Sequence, residues 1–129
     1  MSFTATVTRS YNDGATSLAF TETVTSDYTV NLSVSVPNSN NNPYVWAITR
    51  ANIQSLCIKA AAAMTIYTNA PSTGAPQDTI AMVAGQVFVW TLQTDAIGKL
   101  PFSGNVSELY VTNASGGAAQ LDVRAICTQ

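Results

Sequence analysis

Apolar and polar residues alternate along much of this chain with the period of two that is typical of β-strands. The clearest case is Tyr28–Val36, where every second residue is apolar and the residues between are Thr, Asn or Ser. The same alternation occurs at Phe3–Ser10 and at Ala119–Thr128. Each of these segments is expected to form a strand with one buried face and one solvated face.

The stretch Thr79–Gln93 departs from this pattern because it is apolar at nearly every position. It is rich in β-branched and aromatic residues, and a glycine at its centre can adopt the positive φ of a tight turn. The pattern predicts a hairpin with Ala84-Gly85 as its loop and Met82 opposite Val87. A hairpin with two apolar faces must lie between two layers, which are either two sheets of one domain or two subunits.

Five further strands are expected, at Thr16–Thr23, Tyr44–Ile48, Ile53–Lys59, Met64–Thr68 and Ser107–Asn113. The four alanines from Ala60 to Ala63 leave a short helix over Leu56–Met64 as an alternative, because alanine favours helices. We prefer a strand–turn–strand arrangement, since the residues on both sides of the alanines have β character.

Turn and loop residues separate these segments. Asn12-Asp13-Gly14 is a strong turn signal. The Asn-rich segment Asn38–Asn42, which lacks an apolar anchor, is predicted to be an exposed and mobile loop. The irregular segment Thr94–Asn105 is expected to be anchored by Leu100 and Phe102.

About eight to ten short strands with frequent turn signals and no major helix predict an all-β fold. We expect an antiparallel β-sandwich of jelly-roll-like architecture. With 129 residues and no linker, the chain is expected to form a single domain, 1–129.

Charged residues make up only 9% of the chain, against about 25% in an ordinary soluble domain. Hydrophobic residues make up a normal 47%, so disorder is not indicated. A neutral polar surface suits a Thr- and Ser-rich β-protein in water, and it also suits a surface covered by other subunits, because interface cores are depleted in charge. The composition is consistent with both a water-exposed surface and a surface covered by other subunits.

The net charge of −2 and the scattered basic residues argue against a nucleic-acid partner. The basic residues are Arg9, Arg50, Lys59, Lys99 and Arg124. The same charge distribution argues against an anionic membrane as a partner. No apolar run approaches the length of a membrane span. The first residues lack the basic and apolar regions of a signal peptide.

The absence of histidine excludes Ser-His-Asp and Cys-His catalysis and the commonest metal ligand. Cys57 and Cys127 are interpreted as small buried hydrophobes, with a disulfide between them as the alternative. Six acids are assigned to turns or outward strand positions, namely Glu22, Asp27, Asp78, Asp95, Glu108 and Asp122. A carboxylate hydrolase is therefore disfavoured. We expect no enzymatic activity, no cofactor and no metal.

A carbohydrate-binding module is the strongest rival class, because such modules present aromatic side chains on a sheet face or a loop. The aromatic candidates are Tyr11, Tyr44, Trp46, Tyr67 and Tyr110. Tyr110 shares its strand parity with Glu108 and Thr112, which places it on an outward face.

A series of strand-and-turn segments in the C-terminal two-thirds resembles small β-sandwich proteins encoded in the structural-gene regions of tailed bacteriophages. The segments are Asn52–Ile58, Met64–Asn69, Asp78–Gly85, Val89-Trp90, Pro101-Phe102, Glu108–Asn113 and Ala118–Arg124. They carry no catalytic signature, and no functional residue transfers from them. The length also matches coat proteins of small RNA phages, but this chain lacks their basic RNA-binding face and their helices.

The resemblance implies a virion component assembled in the host cytoplasm, namely a capsid decoration (cement) protein that binds the major capsid protein. Cement proteins of this type are often trimers seated between capsomers, so a homotrimer is expected. The alternative is a glycan- or receptor-binding module of the phage tail. We take five aromatic residues as interface candidates: Tyr44, Trp46, Trp90, Phe102 and Tyr110.

Overall fold

The structure is a computed structural model that describes residues 2–129. It contains ten strands: β1 (Phe3–Asn12), β2 (Ser17–Ser26), β3 (Tyr28–Val36), β4 (Asn42–Ile48), β5 (Ile53–Ala60), β6 (Met64–Thr68), β7 (Thr79–Met82), β8 (Val87–Thr91), β9 (Val106–Asn113) and β10 (Ala119–Cys127). Two short 3-10 helices, Arg50–Asn52 and Ile97–Lys99, are the only helical segments between residues 2 and 129.

The strands form two four-stranded antiparallel sheets and a separate two-stranded ribbon. The first sheet has the order β3-β10-β5-β8, and the second has the order β4-β9-β6-β7. The two sheets pack face to face around one core, so the predicted all-β sandwich fold is confirmed. The ribbon consists of β1 and β2 and lies outside the sandwich.

The core follows from the alternation along each strand. Trp46 and Phe102 pack with their ring centroids 5.5 Å apart, and Trp90 is equally buried. Leu100 and Phe102 anchor the irregular segment as expected, with exposures of 6% and 1%. The other large, fully buried side chains are Ile53, Leu56, Ile58, Ile66, Leu109, Leu121, Val36, Val111 and Val123.

The predicted hairpin over Thr79–Gln93 is wrong. β7 pairs with β6 in the second sheet, whereas β8 pairs with β5 in the first, so Val83–Gln86 carries the chain from one sheet to the other. Gly85 does adopt a positive φ of 76° there, and its N–H donates to Ala60 O at 2.9 Å. Thr79–Gln93 is apolar because it contributes a strand to each layer of the core. Val83 and Val87, at the crossing between the two sheets, are exposed.

The alternative helix over Leu56–Met64 is also wrong, because β5 and β6 are strands. They do not pair with each other, since β5 lies in the first sheet and β6 in the second. The last three alanines, Ala61 to Ala63, form the connection between the sheets.

The Asn-rich loop is largely exposed, as predicted, and it makes many hydrogen bonds to the rest of the chain and within itself. Asn42 Nδ2 donates to Val111 O at 2.9 Å, and Asn41 takes a positive φ of 52° while its N–H donates to Thr112 Oγ1. The fully buried Asn113 ties the next turn to the same place, with Nδ2 donating to Val36 O and Gly117 O, each at 2.9 Å.

The two cysteines are free thiols and point to opposite faces of the first sheet. Cys127 faces the core and is fully buried, whereas Cys57 faces outward and is half-buried. Burial raises the pKa of both thiols. Because a sheet separates their side chains, the alternative of a disulfide within the chain is wrong.

Candidate functional site

The most distinctive feature outside the sandwich is the ribbon of β1 and β2, residues 3–26, which we call the arm. Its strands pair without interruption from Phe3 opposite Ser26 to Asn12 opposite Ser17. Asp13 closes the turn, since its Oδ1 accepts the N–H groups of Ala15 and Thr16 at 2.9 and 2.7 Å. Those backbone hydrogen bonds, with that from Thr16 first, hold the pKa of Asp13 below its usual value.

The alternation in β1 and β2 gives the arm two different faces. One face carries a double column of threonines, in which Thr4 lies opposite Thr25, Thr6 opposite Thr23 and Thr8 opposite Thr21. The Thr8 and Thr21 hydroxyls are 3.1 Å apart and hydrogen-bonded. This threonine face is exposed along its whole length, so the opposite face is the one that packs on the sandwich.

The packing face is covered only over its proximal half. Glu22, Val24 and Ser26 are buried against the outer face of the first sheet. Beyond this point Tyr11 and Leu18, which face each other across the ribbon, are 65% and 71% exposed. Phe20 is 47% exposed and lies 5.8 Å from the Arg9 guanidinium. The arm therefore extends beyond the sandwich and ends in an apolar tip of Tyr11, Leu18 and Phe20.

Two arm residues and two sandwich residues form a polar cluster that we call the clamp: Arg9, Glu22, Thr91 and Asp95. Arg9 donates from Nη1 to Asp95 Oδ1 at 3.2 Å and from Nη2 to Asp95 Oδ2 at 2.5 Å. Arg9 Nη2 also donates to Thr91 Oγ1 at 3.1 Å, and that hydroxyl donates to Glu22 at 2.9 Å. The four side chains thus join the arm to the end of β8.

The clamp accounts for a charge that would otherwise be costly. Glu22 is only 7% exposed, and burying a carboxylate is unfavourable unless it is paired and hydrogen-bonded. Thr91 supplies the hydrogen bond and Arg9 supplies the opposite charge. The hydrogen bonds from Arg9 and the Thr91 N–H lower the pKa of Asp95 against the opposing effect of burial, while the bond to Asp95 raises the pKa of Arg9.

An open groove of about 440 Å³ lies between β1 and the outer face of the first sheet. Thr6, Val7 and Thr8 form its arm side. Its floor combines polar and apolar residues: Asn31, Ser33, Ser55, Cys57, Lys59, Asp122 and Arg124 line it together with Leu32, Leu56, Val89, Val123 and Ile126. Ser33 and Gln120 donate to Asp122, and the Ser33 hydrogen bond in particular lowers the pKa of that carboxyl. The arm therefore rests on its sheet without filling the space beneath it.

A second exposed feature lies on the outer face of the second sheet. Tyr67 of β6 and Tyr110 of β9 are cross-strand neighbours, and both are half-buried. The Tyr110 hydroxyl donates to Glu108 Oε2 at 2.8 Å, and this hydrogen bond raises the pKa of Tyr110. Two of the aromatic residues considered for sugar binding are thereby placed side by side with a carboxylate.

The five interface candidates occupy different environments. Trp46, Trp90 and Phe102 are each 1% exposed in the core, so their side chains are unavailable to a partner of the folded chain. Tyr44 and Tyr110 are half-buried on the second sheet, and burial raises the pKa of Tyr44. Their contact with a partner stays a prediction.

Sequence reasoning missed the clamp and the tip. Arg9 and Glu22 follow the polar–apolar alternation poorly, each lying on the same strand face as apolar neighbours, and that irregularity was the available signal. The predicted solvated position of Glu22 is wrong, because the sandwich covers this side chain. Asp95 gave no local sign of a partner 86 residues away.

Between residues 2 and 129, no cluster of three or more His, Cys, Asp or Glu side chains could hold a metal ion. No helix in the same range is long and apolar enough to cross a membrane. The chain matches no protein-family model, no curated protein and no solved structure.

Proposed function

We propose that this chain is a non-enzymatic structural protein of a tailed-phage virion. In this proposal it is a capsid decoration (cement) protein that assembles as a homotrimer and stabilises the head by binding between subunits of the major capsid protein. The observation that carries the proposal is the apolar tip, which presents Tyr11, Leu18 and Phe20 at the end of a projecting ribbon. The resemblance of the C-terminal two-thirds of the chain to proteins from phage structural-gene regions supports a role in the virion.

The tip has the properties of a docking element. Exposed apolar side chains gathered in one place mark interaction surfaces, whereas isolated ones are ordinary. Tyr11 and Leu18 are direct cross-strand partners, and Phe20 follows two residues after Leu18 on the same face. A two-stranded ribbon is thin enough to enter a cleft between neighbouring capsid subunits, while the sandwich remains on the surface.

The energy of such docking would come mainly from removing apolar surface from water. Full burial of a leucine side chain contributes about 1.5–3 kcal/mol, before the costs of association are subtracted. The tip contains no ionisable carboxylate or amine, so its binding should change little with salt concentration. Binding that collapsed between low and moderate salt would contradict this proposal.

The test uses decoration-free heads of the parent phage mixed with the purified chain and sedimented. The double variant Tyr11→Ser/Leu18→Ser should stay folded and lose co-sedimentation. Val45→Ser is the matched control, because Val45 is 84% exposed but lies on the second sheet away from the arm. Equal binding by the tip variant and the wild type would overturn the assignment of the tip.

The adjacent tyrosines of the second sheet favour one other candidate function, a glycan-binding module of the phage tail. Tyr67 and Tyr110 could place aromatic rings against a sugar, with Glu108 accepting hydrogen bonds from its hydroxyls. A glycan array probed with wild type and with Tyr110→Ala decides this candidate. Binding lost in the variant would support it, and a wild-type array without a hit would remove it.

A further inference from the structure

We propose that the arm is exchanged between copies of this chain, so that the arm of one copy packs on the first sheet of its neighbour. The contacts of Arg9 with Asp95 and of Glu22 with Thr91 would then join two chains. This inference rests on the proposed assembly role and specifies how copies are linked. The occupant of each sheet is the arm of a second copy.

The connection between arm and sandwich is the first observation. One residue, Asp27, separates the end of β2 at Ser26 from the start of β3 at Tyr28. Its N–H donates to Cys127 O at 2.8 Å, and its carboxylate accepts the N–H of Gln129 at 3.0 Å. Asp27 is therefore fixed to the end of β10, and short connections of this kind favour exchange over folding back.

The second observation is that the arm is attached by side chains alone. Between residues 2 and 129, β1 and β2 form backbone ladders only with each other, and neither joins a sheet of the sandwich. The groove beside β1 leaves about 440 Å³ unfilled beneath the docked arm. Releasing the arm thus breaks the clamp and some apolar contacts while leaving every ladder of the sandwich intact.

The third observation identifies the occupant. The sandwich side of the clamp offers a carboxylate at Asp95 and a hydroxyl at Thr91, which together fit a guanidinium beside a carboxylate. The arm carries that pair on one face. Glu22 lies two residues along β2 from Phe20, which is the direct cross-strand partner of Arg9. A second copy of the chain reproduces this complementarity fully, and its arm makes the same contacts between chains as within one chain.

Exchange therefore changes few energetic terms. The clamp and the buried face of β2 are the same in both arrangements, and what differs is the conformation at Asp27 and the entropy of association. If Asp27 gives up its hydrogen bonds to Cys127 and Gln129 and extends, β2 and β3 become nearly continuous and the arm points away from its own sheet. Each copy then gives its arm to one neighbour and receives an arm from another, and in the proposed homotrimer this exchange closes into a ring.

The test exploits the native thiol of Cys57, which lines the same groove as Val7 and Thr8. The variant Val7→Cys is treated with a short bismaleimide and separated on a denaturing gel. Exchange predicts products that link chain to chain, and the double variant Val7→Cys/Cys57→Ser should lose them. Thr8→Cys repeats the test from a more exposed arm position in case Val7→Cys fails to fold. Light scattering on the untreated wild type gives the mass of the assembly.

Chain-to-chain products that persist on dilution, together with a multimeric mass, would support exchange. Three results would overturn exchange. They are a link found only within single chains, a multimer in which neither Val7→Cys nor Thr8→Cys links to Cys57 of another chain, and a monomeric mass. Co-sedimentation with heads is measured separately. Heads bound by a chain whose arm links internally would refute exchange alone, whereas an exchanged multimer that ignores heads would refute the decoration role alone.

Discussion

Arg9 in the arm and Asp95 in the sandwich form a two-point ion pair, although 86 positions separate them in the sequence. It is the only salt bridge between residues 2 and 129, and both side chains are largely covered, with exposures of 26% and 19%. In a protein with so few charges, the main ionic contact is thus placed where the arm meets the sandwich.

Removing the cation should release the arm without unfolding the sandwich. Arg9→Met leaves Glu22 buried without a nearby positive charge, and losing hydrogen bonds to charged groups costs about 1.5–3 kcal/mol. Hydrogen exchange should therefore become about 10- to 100-fold faster in the arm and stay unchanged in β5 and β10. Arg124→Met is the matched control, because Arg124 lies on the same outer face but donates to Asn31 rather than to a residue of the clamp. Unchanged protection of the arm in Arg9→Met would refute the clamp.

Docking of the arm should weaken in acid. Folding lowers the pKa of Asp95 from its ordinary value of 3.8, so the docked state favours the ionised carboxylate. That contribution is complete above pH 3.8 and is lost as the pH falls through the lower folded-state value. Amide exchange in the arm should accelerate in this range relative to β5. Asp95→Asn should remove this acceleration from the arm amides next to the sandwich, and an identical profile of those amides in that variant would refute the assignment. Amides of the turn at Asp13 are left out of the comparison, because the pKa of that carboxyl is also lowered.

The core position of Trp90 predicts a large stability loss on truncation. Trp90 is 1% exposed, and its Nε1 donates to Ala96 O at 3.1 Å. Trp90→Ala should lower the free energy of unfolding in urea by about 3–5 kcal/mol. Leu92→Ala serves as a control two residues away, because Leu92 is 44% exposed and its truncation should cost less than about 0.5 kcal/mol. A folded, stable Trp90→Ala chain would place this residue at an interface instead.

The crossing between the sheets at Gly85 predicts a backbone effect without a packing effect. A Cβ added at Gly85 would meet no atom within 4 Å, but its φ of 76° disfavours any L-residue. Gly85→Ala should therefore cost about 1–2 kcal/mol of unfolding free energy. Gly117 also has no atom within 4 Å but lacks a positive φ, so Gly117→Ala should be neutral or slightly stabilising. Equal effects of the two variants in urea titrations would contradict this explanation.

The strands were largely predictable because alternation is a local property. Tyr28–Val36 was predicted with the bounds that β3 has, and the buried parity of β10 was also correct. Pairing was harder, since a hairpin and a crossing between two facing sheets give the same local pattern around Gly85. The distinction depends on β5 and β6, which are the distant partners of β8 and β7.

The candidate site was hardly predictable for a related reason. Leu18 and Phe20 lie two positions apart in a predicted strand and therefore share a face, but their exposure depends on where the sandwich ends beneath the arm, which no local pattern records. Trp46 and Phe102 were chosen as interface candidates because they are aromatic, yet they pack against each other in the core. The clamp joins residues from both ends of the sequence and becomes visible only once the arm has a position.

The order in which strands visit the two sheets has a consequence for how the chain folds. From β3 to β10, every connection except that between β6 and β7 crosses from one sheet to the other. The sandwich therefore needs many contacts between distant residues before either sheet is complete, which is typical of folding over milliseconds to seconds. The arm is a local hairpin closed by Asp13, and such hairpins form in about 1–10 μs. During folding, the hairpin of the arm is thus expected to form well before the sheet on which it packs.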